Sequence, residues 1–236
     1  MDRYILTVGG ISSLDYNIYV LDSDDESSTS REYETVQVPG RTGDLHFDNG
    51  RYENISRTYK CVCMSDASRL IPAFVSAILS QPGYKRIEDT LHDEYYKIGE
   101  FTGGVTPAFA KGKDAARFDL TFDCKPQKYL KIGEIQRTLA TGTNTIDNPT
   151  YYASYPLLEI TGNGNLGIGS NTITIAGNTE TLILDLELGD CYEKTSHGNR
   201  NSKVSWTAKP SIKSGQSGIT VPSGMTVKLT PRWWFL

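Results

Sequence analysis

Few residues in this 236-residue chain are spaced for chemistry. Cys61 and Cys63, one residue apart, could open a metal site. Structural zinc centres space their paired ligands by two to four residues and add a second pair. Cys124 and Cys191 lie far off in sequence with no histidine pair beside them, so the four thiols read as buried, reduced and apolar. His46, His92 and His197 could each act as a general base, yet all sit in polar, turn-like surroundings, and neither G-x-S-x-G nor H-E-x-x-H occurs. Acidic groups gather at Glu88-Asp89 and His92-Asp93-Glu94, where paired carboxylates could hydrolyse a glycoside. Charged hairpin ends are ordinarily just solvated. Gly162-x-Gly164 and Gly167-x-Gly169 resemble phosphate loops, but such loops open onto a helix N-terminus and here a strand follows, so the glycines read as hairpin turns or bulges. No catalytic, cofactor or metal residue is assigned.

Aromatic side chains carry more promise as contacts. Trp206, Trp233 and Trp234, with Tyr192, could stack on sugar rings. Regular strand geometry sends Trp233 and Trp234 to opposite faces, one into a core and one outward. Trp206 and Trp234 are therefore the candidates for glycan or partner contact.

The elements that would position these residues are mostly strands. Phe118, Leu120, Phe122 and Cys124 alternate with Asp119, Thr121, Asp123 and Lys125, which predicts a half-buried strand ending at Pro126. Strands are expected over 3–8, 16–21 and 33–38. Asp22–Ser30 is acidic and serine-rich, and reads as a loop. The turn at Pro39–Asp44 and the Asp48-Asn49-Gly50-Arg51 turn follow, then an extended strand over 52–64. One helix is predicted over 68–80, with Leu70, Phe74, Ala77 and Ile78 at helical spacing. Its cap is Ser65, Asp66 or Ser68, and Pro72 is placed in the opening turns. Paired strands are expected over 84–89 and 94–101, with a connection over 103–114. The second half shows no helical period; a strand over 182–188 would put Leu182, Leu184, Leu186 and Leu188 on one face. Turn signals recur every ~8–12 residues, the spacing of a β-sandwich.

The bulk numbers agree with a packed β protein: 38% hydrophobic, 22% charged, 14 tyrosines. A net charge of −4 argues against a protein that grips nucleic acid, though not against one that lets it slide past. No stretch approaches a membrane span and the first residues lack a signal-peptide run, so synthesis in a cytosol without membrane contact is expected.

Eight motifs in fixed order carry a family likeness: VPGRTGDL (38–45), NGRYEN (49–54), PGYKRIEDT (82–90), YYKIGEF (95–101), FDLTFDCKPQKYL (118–130), NPT with SYPLLEITGNG (148–150, 154–164), LDLELGDCY (184–192) and PRWWFL (231–236). In this ordered set the chain resembles the distal tail protein of long, flexible-tailed bacteriophages and related prophages. The resemblance implies a mainly β chain of two sandwich domains. Residues 1–135 would be a ring-forming domain with a flanking helix and a protruding hairpin, and residues 136–236 a galectin-like domain. It implies a structural, non-enzymatic homo-hexamer at the phage tail tip, without cofactor, made in the host cytoplasm. The ring would join the major tail tube protein to a tail-associated plug protein and to receptor-binding proteins. Phage DNA would pass through its lumen. The ring-forming elements would be the 33–57 hairpin region and the alternating strands of the first domain, with Val38, Arg41 and Asp44, in or beside the Gly-rich turn, as the candidate ring contacts. The other reading is an adhesion module for host cell-wall glycans. Some relatives carry inserted carbohydrate-binding modules, and this chain has no room for one.

Overall fold

The computed structural model describes residues 3–24, 28–112 and 114–236. Asp25, Glu26 and Ser27 of the predicted acidic loop, and Lys113 of the predicted 103–114 connection, lie outside the described residues. The protein is mainly β and divides into two compact units, Met1–Lys128 with Leu236, and Tyr129–Phe235.

The N-terminal unit contains β1 (Leu6–Val8), β2 (Ile11–Ser12), β3 (Ile18–Ser23), β4 (Arg31–Val36), β5 (Leu45–Tyr52), β6 (Ile55–Cys63), α1 (Ala67–Leu79), β7 (Lys85–Asp89), β8 (Tyr95–Phe101), β9 (Ala108–Phe109) and most of β10 (Ala116–Leu130). Its main sheet runs β2-β1-β7-β8-β10-β6-β3. The two ends approach each other: Tyr4, two residues before β1, bridges to Val20 of β3. The sheet thereby wraps around its own interior. Alternate residues of β6 (Tyr59, Cys61, Cys63) and β10 (Phe118, Leu120, Phe122, Cys124) point inward. Helix α1 closes the core with Ala67, Ile71, Phe74 and Ile78, whose 4-3-4 spacing makes one stripe.

Four local expectations are corrected. First, β10 does not stop at Pro126 but continues to Leu130. Its pairing with β6 ends at Cys124↔Ile55. Thr121 accepts from Thr102 N on the opposite flank, so Pro126, an even-numbered residue, turns its N-terminal edge to the side where no β6 partner remains. A missing N–H costs nothing there. Second, Asp48–Arg51 is no hairpin turn but part of β5. Register jumps from Arg31↔Tyr52 to Tyr33↔Asp48, a bulge on β5. Gly50 takes φ +72° and donates its N–H to Asp48 Oδ1 at 2.8 Å, so the Asn-Gly pair shapes a bulge instead. Third, Asp66 stands at the helix N-cap with φ 51° and gives no side-chain cap, because its carboxylate bonds Arg69 Nε at 2.6 Å. Fourth, Pro72 lies at the sixth residue of α1, beyond the opening turn.

The C-terminal unit contains β11 (Arg137–Leu139), β12 (Gly142–Asn148), β13 (Leu157–Thr161), β14 (Gly164–Ile168), β15 (Asn171–Ile175), β16 (Thr181–Asp185), β17 (Asp190–Glu193), β18 (Val204–Trp206), β19 (Gly215–Val221), β20 (Thr226–Thr230) and β21 (Trp234–Phe235). Two five-stranded antiparallel sheets form, β11-β20-β13-β16-β17 and β12-β19-β14-β15-β18. Their inward residues, among them Leu158, Ile160, Leu166, Ile173, Leu184, Ile219 and Val227, share one core. The leucine run does not stay on one strand face. Strand β16 ends at Asp185, whose Oδ1 accepts from Glu187 N and Leu188 N, and the turn leaves Leu188 exposed. Trp233 is buried in the core. It follows Arg232, a non-glycine residue at φ 59°. Arg232 N donates to Gly133 O at 2.8 Å, and its guanidinium is bidentate to Asp185 at 2.8 Å on both oxygens, which fixes the left-handed backbone.

Candidate assembly interface

The chemistry-bearing residues do not converge on a cleft. All four cysteines are free and buried. Burial raises the Cys61 and Cys63 thiols and pushes Cys191 up to about 11, which suppresses the thiolate that a nucleophile or metal ligand needs. Among the described residues no cluster of three His, Cys, Asp or Glu side chains is arranged to hold a metal ion, and no helix is long and apolar enough to cross a membrane. His46 lies 3.3 Å from Thr35 Oγ1 and packs edge-on to Tyr33. His197 leans on Tyr192.

His92 is the histidine that meets a buried carboxylate. Asp89 Oδ1 contacts its Nδ1 at 3.0 Å and accepts from its backbone N at 2.7 Å. Asp89 Oδ2 accepts from Tyr59 OH at 3.0 Å, and Lys97 Nζ donates to the same Tyr59 oxygen at 3.1 Å. Asp89, Lys97 and Tyr59 are all buried in the N-terminal core. This is a satisfied internal network, placed by Asp89 at the end of β7 and Lys97 on β8.

The β4–β5 ribbon, a two-stranded sheet of its own, groups several exposed apolar side chains: Tyr33, Val36 and Phe47 on its strands and Val38 on the connection between them. Arg31, Tyr33 and Thr35 share one side with His46, Asp48 and Tyr52. Arg31 pairs with Asp48, lies 5.1 Å over the Tyr52 ring and donates to Tyr52 OH at 3.1 Å. Those contacts raise the Arg31 guanidinium; Gly50 N and Arg31 hold Asp48 below the usual carboxylate range. The reverse side carries Glu32, Glu34, Val36, Leu45 and Phe47, with Glu32 tied to Arg51 at 2.8 Å and to Asn49 at 3.1 Å. Tyr33 is 50% exposed and Phe47 54%. Large apolar side chains thus stand out on both sides of a ribbon that has no core of its own. Such a ribbon is marginal alone and gains by being covered.

Val38, Arg41 and Asp44 fall together on the connection between β4 and β5, and all three are exposed. Arg41 N donates to Val38 O at 3.1 Å, so the turn is built. The sequence pointed to the 33–57 region without singling out Tyr33 and Phe47; the available signal was an aromatic on each side of a strand pair flanked by turns. The two candidate tryptophans are partly covered. Trp206 packs against the C-terminal core. Trp234 stacks on Tyr152 at 4.5 Å and donates Nε1–H to Ala153 O at 3.2 Å.

No protein-family model matches the chain, and none of the curated proteins does. Solved structures do. The Dit protein of phage SPP1, described as a paradigm of the hub of the adsorption apparatus in phages that infect Gram-positive bacteria, superposes with a TM-score of 0.74 at 14% identity, covering 100% of both chains. A chain of the phage P2 baseplate in its activated conformation with Ca gives 0.53 at 12% identity, over 97% of this chain and 98% of that one. The same baseplate with Sr gives 0.52 at 11%, over 96% and 97%. At these identities the likeness is one of fold: over its whole length the chain shares the fold of the SPP1 Dit protein.

Proposed function

We propose that the protein is a structural hub of a phage tail tip, a non-enzymatic homo-hexameric ring that joins the tail tube to tip and adsorption proteins. The observation that carries this reading is the superposition on a hub protein over the whole of both chains. The ribbon supports it: an interface that repeats head to tail closes into a ring when its rotation allows, and an exposed ribbon seated on the next copy would be such an interface. In this reading Val38, Arg41 and Asp44 lie at that contact with Tyr33 and Phe47, and each contact buries on the order of 800 Å² per partner. The neighbours are the major tail tube protein on one side and a tail-associated plug protein, with receptor-binding proteins, on the other. DNA crosses the lumen without specific binding, and the protein, made in the host cytoplasm, ends in the virion. The residue ranges 1–135 and 136–236 are proposed as the ring-forming and the galectin-like domains.

Light scattering across a concentration series tests the ring. A mass near six times 26.1 kDa, and annular particles with a central hole in electron micrographs, are expected. Tyr33→Ser with Phe47→Ser should leave a folded monomer. A wild-type protein that stays monomeric at every concentration, even beside its tube protein, would overturn the proposal.

A further inference from the structure

Two Asn-Gly steps occur in the chain, Asn49-Gly50 on β5 and Asn163-Gly164 leading into β14. In such a step the glycine nitrogen can attack the carboxamide carbon of the asparagine before it, because glycine has no Cβ to shield that nitrogen or to restrict the backbone. Both asparagines are exposed, so access to water does not tell the two steps apart. What holds each carboxamide does.

Asn163 is held at both ends. Its Oδ1 accepts from Asn178 N at 2.6 Å and its Nδ2 donates to Asn178 O at 2.8 Å. Asn178 is itself buried and fixed, donating to Gly162 O and Glu180 O and accepting from Glu180 N. A Cβ at Gly164 would meet Pro222 Cγ at 3.0 Å, so the proline ring stands against the attacking residue. Asn49 has none of this. Its Nδ2 makes one bond, to Glu32 Oε1 at 3.1 Å, and Glu32 is shared with Arg51 at 2.8 Å. Among the described residues, Asn49 Oδ1 has no hydrogen-bond partner. Nothing lies within 4 Å of the place a Gly50 Cβ would take. At the bulge Gly50 has no cross-strand partner, and its N–H turns to Asp48 Oδ1 at 2.8 Å, outside the β4 ladder.

We infer that Asn49 is a self-converting site, whose carboxamide closes onto Gly50 N and reopens as aspartate or isoaspartate. Gly50 N gives its proton to a solvent base and bonds to Asn49 Cγ. The Cγ–Nδ2 bond breaks, and ammonia leaves with a proton from water, which leaves a five-membered imide. Water then adds to either imide carbonyl and opens the ring. The sum is carboxamide plus water to carboxylate plus ammonium, with no enzyme, metal or oxidant. Each conversion removes the donor that Glu32 uses and sets a new negative charge beside Glu32 and Asp48, where like charges repel. The isoaspartyl product also adds a carbon to the main chain of β5, the strand that pairs with β4. Conversion therefore loosens the ribbon as the protein ages. The chemistry stands without the hub reading; its bearing on assembly rests on that reading, in which the ribbon is the contact.

The full-length protein is incubated in mildly alkaline buffer, sampled over weeks, digested and mapped by mass spectrometry, with an isoaspartyl methyltransferase to score the isoaspartyl product. A gain of about one dalton on the peptide carrying Asn49 is expected, at least tenfold faster than on the peptide carrying Asn163. In denaturant the two steps should convert at matching rates, because the clamp on Asn163 is gone. The Tyr33→Ser/Phe47→Ser variant, folded by circular dichroism, is run in parallel. Conversion of Asn49 in that variant and not in the wild type supports the site and means that another copy covers the ribbon. Three results overturn the inference: Asn49 intact in both folded proteins, Asn163 converting as fast as Asn49 in the folded chain, or Asn163 staying slow in denaturant.

Discussion

Lys97 and Asp89 show what one buried ion pair does. Both side chains are 3% exposed, with Nζ and Oδ2 3.5 Å apart and Tyr59 OH between them. Removing one partner leaves a charge uncompensated in the core, which typically costs about 3–5 kcal/mol. Lys97→Met should therefore lower the urea midpoint sharply at unchanged slope, and adding Asp89→Asn should recover part of the loss. Equal destabilisation by both variants would show that Asp89 is held by His92 and Tyr59 without needing the lysine. Carboxylates of the C-terminal unit set a second expectation. Ser196, with the backbone N–H groups of Thr195 and Ser196, holds Glu193 down to about 2. Burial alone would raise Asp185, yet Arg232 and the N–H groups of Leu188 and Glu187 outweigh it and keep that carboxyl below its ordinary range. Glu159 and Glu180 are lowered too, chiefly by Lys194 and Arg200 respectively. A depressed folded-state value means the unfolded chain takes up protons first. The stabilisation is thus complete above the ordinary carboxylate range near 4.5 and drains away as pH falls toward about 2. Melting followed by circular dichroism should stay flat from pH 7 to 5 and drop steeply below; a profile flat to pH 2.5 would contradict these assignments.

At the scale of elements, helix α1 carries an avoidable cost. Pro72, sixth in the helix, cannot donate to the carbonyl of Ser68 and crowds it, a defect worth ~3 kcal/mol in a helix interior. Its side chain is exposed, so no packing offsets the loss. Pro72→Ala should stabilise the N-terminal unit by about 2 kcal/mol, once the greater freedom of the unfolded chain is deducted. A neutral or negative change would mean that the kink is used. The helix illustrates what sequence makes legible. Its stripe, and the alternation of Phe118, Leu120, Phe122 and Cys124, encode which face is buried, because both periods follow from backbone geometry alone. Where an element ends is decided by neighbours the sequence does not display. Pro126 ends nothing because β6 has already ended beside it; Asn49-Gly50 becomes a bulge because β4 pairs on past it; Asp185 stops β16 by capturing two backbone N–H groups. The same gap hid the ribbon's exposed aromatics: Tyr33 and Phe47 look like core until the ribbon proves to have no second layer.

For the whole molecule, charge is the property that an assembly multiplies. Six chains at −4 each give −24 on a ring. Duplex DNA carries a negative charge every ~1.7 Å, and proteins that hold it do so by neutralising phosphates with clustered Lys and Arg, at affinities that fall steeply with salt. A lumen meant for transit needs the reverse, a wall with no net attraction, so that the polymer does not stall on the way through. The hub reading accordingly requires that the assembled protein fail to retain linear duplex DNA at about 50 mM salt, where electrostatic binding is still strong. A basic nucleic-acid-binding protein run alongside serves as the positive control in a mobility-shift experiment. If the ring instead shifts DNA with a steep inverse salt dependence, its charges must be sorted so that lysines and arginines line the hole, and passage without binding would have to be given up even with the hexamer intact.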